Sequence, residues 1–555
     1  MAHESTANLN AQPVPSNRRQ FLRRAGQTVA AAATLVSLPS SVVEAAAETQ
    51  ASEAKTGSPG GGRAEKAYEI RRRAALYQKE LPAVEHLPNG DDGLYPSRIA
   101  SFTKGLPHNQ LGEVDVKSYA ALITALADGN PMLFSRIPCG GKAKLVNPQA
   151  AFAYELEGTD SHNLGMSPSP AFNSAEAAGE MVELYWQALA RDIPFARYHS
   201  HIVTRSAAAE LSKLTAFRAP KVAGRITPAV LFRGHTESDA VGPYVSQFLW
   251  KDVPYGALTI TQRIRTAVPE LDFLTSYPAW LAVQNGGETW ANQYDPTPRY
   301  IRNGRDLAEY VHQDFSYQAF LNACLILLGM GAPRDDRNPY KHAKSEAGFC
   351  TFGAPHLLDA VARVANCGLK AAWYQKWAVH RRLRPEEFGG RVHNQWTGAA
   401  AYALHRDVLK SSAIEAVFKQ HGSHLLPQAY PEGCPLHPAY PAGHAVIAGA
   451  CATILKAFFD ESFHVPTPVV ASDDGLALTP YQGSPLTVGG ELDKLASNVA
   501  LGRDFAGVHW RSDSVEGLKL GEAVALGVLT DMKDCFNERF GGFSLTKFDG
   551  EIIAI

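Results

Sequence analysis

Three short clusters in the C-terminal half restrict what this chain can fold into, because their side chains make chemical sense only when brought into one pocket. They are Lys376 with Arg384-Pro385, then Pro441-Ala442-Gly443-His444, then Arg503 with His509 and, four residues on, Asp513. Guanidinium forks and an ammonium neutralise the oxygens of a tetrahedral oxyanion. A Gly-His step opening a helix adds backbone N–H donors at the positive end of the helix dipole. A histidine can then attack or coordinate the central atom. Phosphate and vanadate are the obvious anions of this shape and charge.

The local pattern places two of these histidines. Pro438-Ala439-Tyr440-Pro441 reads as an extended approach, and Gly443-His444-Ala445-Val446 begins an apolar helix predicted to run to about Phe459, so His444 lies at a helix N-terminus. The dipole there lowers its basicity and an anion opposite raises it, which suits a proton shuttle near neutral pH. If residues 508–513 open a helix, His509 and Asp513 share a face. The carboxylate then accepts from one ring nitrogen while the other faces the anion. Blander readings exist for each group. His444 could cap or pack, Lys376 and Arg384 could be a solvated helix end among Arg381, Arg382 and Arg391, and Asp513 could be a helix cap. The coincidence of all three clusters weighs against them.

Written out, the segments KWAVHRRLRP, HPAYPAGHAVIAGACATILKAFFD and GRDFAGVHWRSD resemble the vanadium-dependent haloperoxidases. That family shares its anion pocket with type 2 phosphatidic acid phosphatases and bacterial acid phosphatases. The resemblance is strongest over residues 370–530, and the eight-residue step from Lys376 to Arg384 looks like the algal and bacterial members. It implies an all-α fold of two four-helix bundles around a vanadate or phosphate pocket, with loops and a few short strands. It also implies a homodimer or higher assembly. Lys376, Arg384 and Arg503 would bind the vanadate oxygens, Gly443 would give its amide, His509 would bond vanadium and His444 would be the acid/base, with Asp513 behind His509. His437 matches a histidine of algal bromoperoxidases, and Trp373 matches the chloroperoxidase pattern. Both also suit plain packing of the pocket wall.

The implied activity is oxidation of halide by hydrogen peroxide. His444 would take a proton from the peroxide and Lys376 would polarise it. The product would halogenate a small electron-rich organic partner, an aromatic or an isoprenoid of secondary metabolism. One departure matters, because the family reads Pro-Ser-Gly-His where this chain has Ala442. One hydrogen bond lost to a charged group costs roughly 1.5–3 kcal/mol, around ten- to a hundred-fold in anion affinity. Three cations and a histidine remain to hold vanadate, and phosphate suits the same donors. The substitution also fits a rival within the family, a vanadate-independent isomerase shifting an α-hydroxyketone in naphthoquinone meroterpenoid assembly, with His444 as base. Phosphomonoester hydrolysis through a phospho-His509 is a third reading, disfavoured by length and the missing serine.

Bulk properties agree with an exported enzyme. A formal charge of −2 over 555 residues excludes a broad nucleic-acid surface. Arg18-Arg19-Gln20-Phe21-Leu22 before a small-residue apolar run reads as a twin-arginine export signal ending near Ala47, which implies a periplasmic or secreted bacterial protein. No later stretch has the apolar length of a membrane span. The seven cysteines form no C-x-x-C pair, which argues against zinc, iron–sulfur or c-type haem sites. Cys324 and Cys451 read as core residues. The expected organisation is a signal at 1–47, a flexible linker at 48–64, a helical region at 65–340 with a loop-rich insertion at 217–303, and the motif-bearing helical region at 341–555. Helices are predicted over 64–80, from a cap at Asn173 or Ser174 to Arg191, over 306–328 and over 354–383.

Overall fold

The computed structural model describes residues 61–555. The export signal and residues 48–60 of the linker lie outside the described residues. The first described element, α1 (Gly61–Glu80), is a charged helix with mostly exposed side chains. It begins three residues before the predicted start at Ala64, so Gly61, Gly62 and Arg63 are helical. Residues Glu80–Ile555 form one compact unit.

Amphipathic and apolar segments become the helices that build the site. Ser174 caps α2 (Ala175–Ala190) by accepting from the Ala177 N–H, as the sequence predicts. The single helix expected over 306–328 is two, α3 (Gly304–Gln313) and α4 (Gln318–Gly329). Asp314 leaves the helical region, with φ −68° and ψ 151°, and the chain turns there. The next helix, α5 (Ala354–Trp373), widens into a π-helical stretch at Tyr374–His380 and stops at Arg381, whose φ of 43° is left-handed. Pro385 then opens α6 (Pro385–Thr397); a proline at the first helical position lacks only an N–H that would have had no partner. Three further helices complete the surroundings of the site, α7 (Gly443–Phe458), α8 (Val488–Phe505) and α9 (Arg511–Lys533). Among the described residues strand is confined to three antiparallel pairs: β1 (Val253–Tyr255) with β2 (Leu258–Ile260), β3 (Val469–Ala471) with β4 (Leu478–Pro480), and β5 (Ser544–Thr546) with β6 (Ile552–Ala554). The region 217–303 is loop-rich, as expected, with β1, β2 and short helical turns.

The centre of the packing is α7, which lies against α5, α8 and α9. Every residue of α7 except His444 is buried, the pattern of a helix that is apolar all round. Its approach to α9 depends on glycine. A Cβ on Gly521 would sit 2.0 Å from the Val446 carbonyl oxygen, and one on Gly449 would sit 2.1 Å from that of Leu518. One hydrophobic core holds Leu307 of α3, Phe320 of α4, Leu357 of α5, Val446 of α7 and Val524 of α9. It therefore crosses residue 340, where the sequence suggested a boundary between regions. Cys324 and Cys451 are buried in this core. Among the described residues no helix is long and apolar enough to cross a membrane.

Candidate active site

The turn between α5 and α6 supplies two cations from one short segment. The π-helical stretch carries Lys376, which is fully buried and donates to the carbonyls of Pro438 and Ala439 at 2.8 and 2.9 Å. Those carbonyls belong to the extended approach to α7. Arg384 caps α6 and is also fully buried. Its Nε donates to the His437 carbonyl at 2.9 Å and its Nη1 to the Val508 carbonyl at 2.8 Å. The third cation, Arg503, comes from the last turn of α8 and donates to the Val311 carbonyl at 2.8 Å. Its guanidinium lies over the Tyr430 ring, 5.3 Å from the centroid, and its buried Nε has no hydrogen-bond partner among the described residues. The solvated-helix-end reading fails here, because Arg382 and Arg391 are buried as well.

Hydrogen bonds fix the tautomer of His509. His509 Nε2 lies 2.8 Å from Arg384 Nη1, and Nδ1 lies 2.8 Å from Asp513 Oδ2. Arginine only donates, so Nε2 accepts and the ring proton sits on Nδ1, given to the carboxylate. Arg384 Nη2 approaches His437 Nδ1 at 3.0 Å, and the Pro438 carbonyl lies 3.2 Å from the same nitrogen. The His437 ring lies 4.8 Å from Trp373, centroid to centroid. His509 and Asp513 meet, but not on one helix face. His509 precedes α9, whose cap residue is Trp510. Asp513 Oδ2 accepts from the Trp510 N–H at 3.1 Å as well as from His509, so it is both cap and histidine partner.

The electrostatics are one-sided. Burial, reinforced by Arg384 and Arg503, holds the Lys376 ammonium well below its ordinary pKa. Burial and then Arg384 and Lys376 keep His509 neutral, and burial with the same two cations does so for His437. The carboxylate that holds this ring, Asp513, is engaged by Arg382 at 2.8 Å on its other oxygen. Three buried basic side chains therefore converge on a neutral ring.

His444 stands at the rim. Its side chain is 26% exposed, and its Nε2 lies 3.0 Å from Asp314 Oδ1. The carboxylate accepts, so the proton is on Nε2 and Nδ1 is left as the acceptor. Gly443 opens α7, where N–H groups have no partner within the helix. Ala442 is its cap residue, fully buried, and its methyl group offers no hydrogen bond to the turn. No motif marks Asp314, which lies 130 residues from His444; the break between α3 and α4 is what delivers it. Tyr430 and Arg382 were equally unmarked.

Comparison with known proteins settles the family. A family model of the VCPO second helical-bundle domain matches residues 360–538. The vanadium-dependent bromoperoxidase of Corallina officinalis is 35% identical, covering 89% of this chain and 98% of its own. The vanadium-dependent bromoperoxidase of Ascophyllum nodosum is also 35% identical, covering 87% and 91%. The chain belongs to the vanadium-dependent haloperoxidase family. The fold agrees: the homohexameric second vanadate-dependent bromoperoxidase of Ascophyllum nodosum matches with a TM-score of 0.84 at 30% identity, over 89% of this chain and 90% of its own.

The haloperoxidase cofactor suits the residues present. A tetrahedral oxyanion needs fixed donors and compensating charge, and the pocket offers a buried Arg503 Nε without a partner, an ammonium with a third donor, and amides at the start of α7. The Nε2 lone pair of His509, which accepts from Arg384, is of the kind that could bond the central atom of such an anion.

Proposed function

We propose that this haloperoxidase uses hydrogen peroxide to oxidise halide, bromide first among them, and halogenates a small electron-rich organic substrate of secondary metabolism. The observation that carries the reading is the convergence of buried Lys376, Arg384 and Arg503 on a neutral His509. The relatives named as bromoperoxidases support bromide. Bound vanadate supplies a Lewis acid that activates peroxide. Lys376, Arg384, Arg503 and the Gly443 amide would hold its oxygens, and His509 Nε2 would hold the metal. His444 Nδ1 takes a proton from the incoming peroxide, and Asp314 stabilises the charged ring that results. Trp373 and His437 form one wall, against which the halide approaches. The homohexameric relative supports homo-oligomeric assembly, and Arg18-Arg19 supports twin-arginine export.

One observation favours a second reading. The buried cap of α7 is Ala442, without the hydroxyl that would donate to an anion oxygen. An isomerase acting on an α-hydroxyketone would need the His444 base and the cations but not vanadate. Titration of vanadate-free protein with orthovanadate, followed by peroxide-dependent bromination and chlorination of monochlorodimedone, separates the two. Stoichiometric binding with matching activity supports the haloperoxidase. Absence of both, reversed by Ala442→Ser, supports the reassigned pocket.

A further inference from the structure

Behind His509 lies a buried line of alternating charge. Asp513 Oδ1 accepts from Arg382 Nη1 at 2.8 Å, and Arg382 Nη2 donates to Glu180 Oε2 of α2 at 2.9 Å. Arg382 Nη1 also donates to Ser512 Oγ at 2.7 Å. Glu180 accepts from the Ser512 N–H at 2.7 Å and from its hydroxyl at 3.0 Å. The guanidinium lies over the Trp510 indole, 4.6 Å from the ring centroid. Arg382, Glu180, Asp513 and Trp510 are all at most 4% exposed.

This arrangement does more than neutralise a buried acid. Arg382 occupies Oδ1 of Asp513, which leaves Oδ2 as the oxygen for the His509 ring and the Trp510 N–H. A carboxylate held on both oxygens cannot rotate, and neither can the ring it holds. The fork geometry is required, because a point charge cannot reach Asp513, Ser512 and Glu180 in fixed directions at once. The neighbouring pair of Arg511 with Glu183 shows the contrast. It links the same two helices through Glu183, one turn along α2, with Arg511 Nε 2.8 Å from Glu183 Oε2, but it makes no bond to Asp513.

We propose that Arg382, aligned by Glu180, is a positioning residue of the anion pocket, fixing through Asp513 the ring plane that His509 presents and securing at Nδ1 the tautomer that Arg384 favours at Nε2. The proposal rests on the reading that His509 bonds the cofactor, since only then does its ring plane matter to function. Outer partners of this kind change metal affinity by about 10- to 100-fold when lost.

The test uses vanadate-free protein labelled with nitrogen-15 histidine, read by NMR for the His509 tautomer and Nδ1 resonance, with orthovanadate affinity measured separately by calorimetry. Wild-type protein should show a single Nδ1–H form. Arg382→Met should loosen the Asp513 hold on Nδ1–H, read as a shifted and broadened His509 Nδ1 resonance, and weaken orthovanadate binding by about 10-fold or more. Arg382→Lys should fall between the two, and Glu180→Gln should lose less than Arg382→Met. Glu183→Gln breaks the neighbouring pair and should lower thermal stability while leaving the Nδ1 resonance and affinity unchanged. Retention of the wild-type His509 Nδ1 resonance and affinity in Arg382→Met overturns the proposal, as does an equal change of both in Glu183→Gln. Should Arg382→Met fail to fold, Arg382→Lys and Glu180→Gln decide by the same two readouts. Wild-type protein that binds no orthovanadate would defeat the functional reading alone, and the Nδ1 resonance would still decide this one.

Discussion

At the scale of single residues, the site divides charge handling from proton handling. Removing His444 should leave the cations in place, so His444→Ala should lower kcat by about 10²- to 10³-fold while orthovanadate affinity changes little. Steady-state bromination beside a binding titration separates the two quantities. Asp314→Asn should lower kcat less, because the ring keeps its acceptor and loses only the charge that steadies its protonated form. Ala442→Ser should act oppositely, strengthening orthovanadate binding by about ten-fold through one added hydrogen bond to a charged group. The same hydroxyl can cap α7, so unfolding of the anion-free variant should require about 1 kcal/mol more. Much of this machinery was legible from sequence, because Lys376, Arg384, Gly443, His444, Arg503 and His509 fall in tight clusters with recognisable spacing. Asp314, Tyr430, Arg382 and Glu180 were not. Each acts by a contact across more than 70 residues of chain or from within a run of arginines, and single-sequence spacing carries no record of such contacts.

At the scale of elements, the site exists because α7 can press against α9. The Cβ of Gly521→Ala would meet the Val446 carbonyl at 2.0 Å, a backbone atom that cannot swing aside. The variant should be destabilised by about 3 kcal/mol in urea unfolding, and the Ala442 N–H to Asp513 carbonyl bond that joins the two helix starts should weaken with it. Helix positions were readable where caps and periodicity agree, as at Ser174 and Gly443. They were not readable where tertiary structure overrides periodicity. Apolar spacing runs unbroken from α3 into α4, yet Asp314 is drawn out of the helix towards His444. Likewise nothing in the local composition announces the wider turn at Tyr374–His380 that carries Lys376, because its driving force is the contact with the approach to α7.

At the scale of the whole molecule, stability and ligand binding are linked through charge. His312 of α3 lies 2.6 Å from Glu432, stacks on Tyr430 at 3.8 Å, and has Glu309 at 3.6 Å. Burial pulls its pKa down, but hydrogen bonds to Glu309 and Glu432 outweigh this and raise it from 6.5 to about 8. The folded state thus holds this proton more tightly than the unfolded chain. The stabilisation is complete below pH 6.5 and is lost as pH rises through about 8, amounting to at most about 2 kcal/mol. Urea midpoints of wild-type protein and His312→Asn should therefore converge between pH 6 and pH 9. A persistent gap would assign the difference to packing on Tyr430. The convergence of three buried basic side chains has a different consequence, one of competition. Any tetrahedral anion that enters would relieve the same repulsion, so phosphate should compete with vanadate for one seat. Once phosphate exceeds its own dissociation constant, each further tenfold of it should raise the apparent dissociation constant for vanadate tenfold. The fraction of molecules able to oxidise halide is then set by the ratio of two anions in the medium as much as by the protein itself.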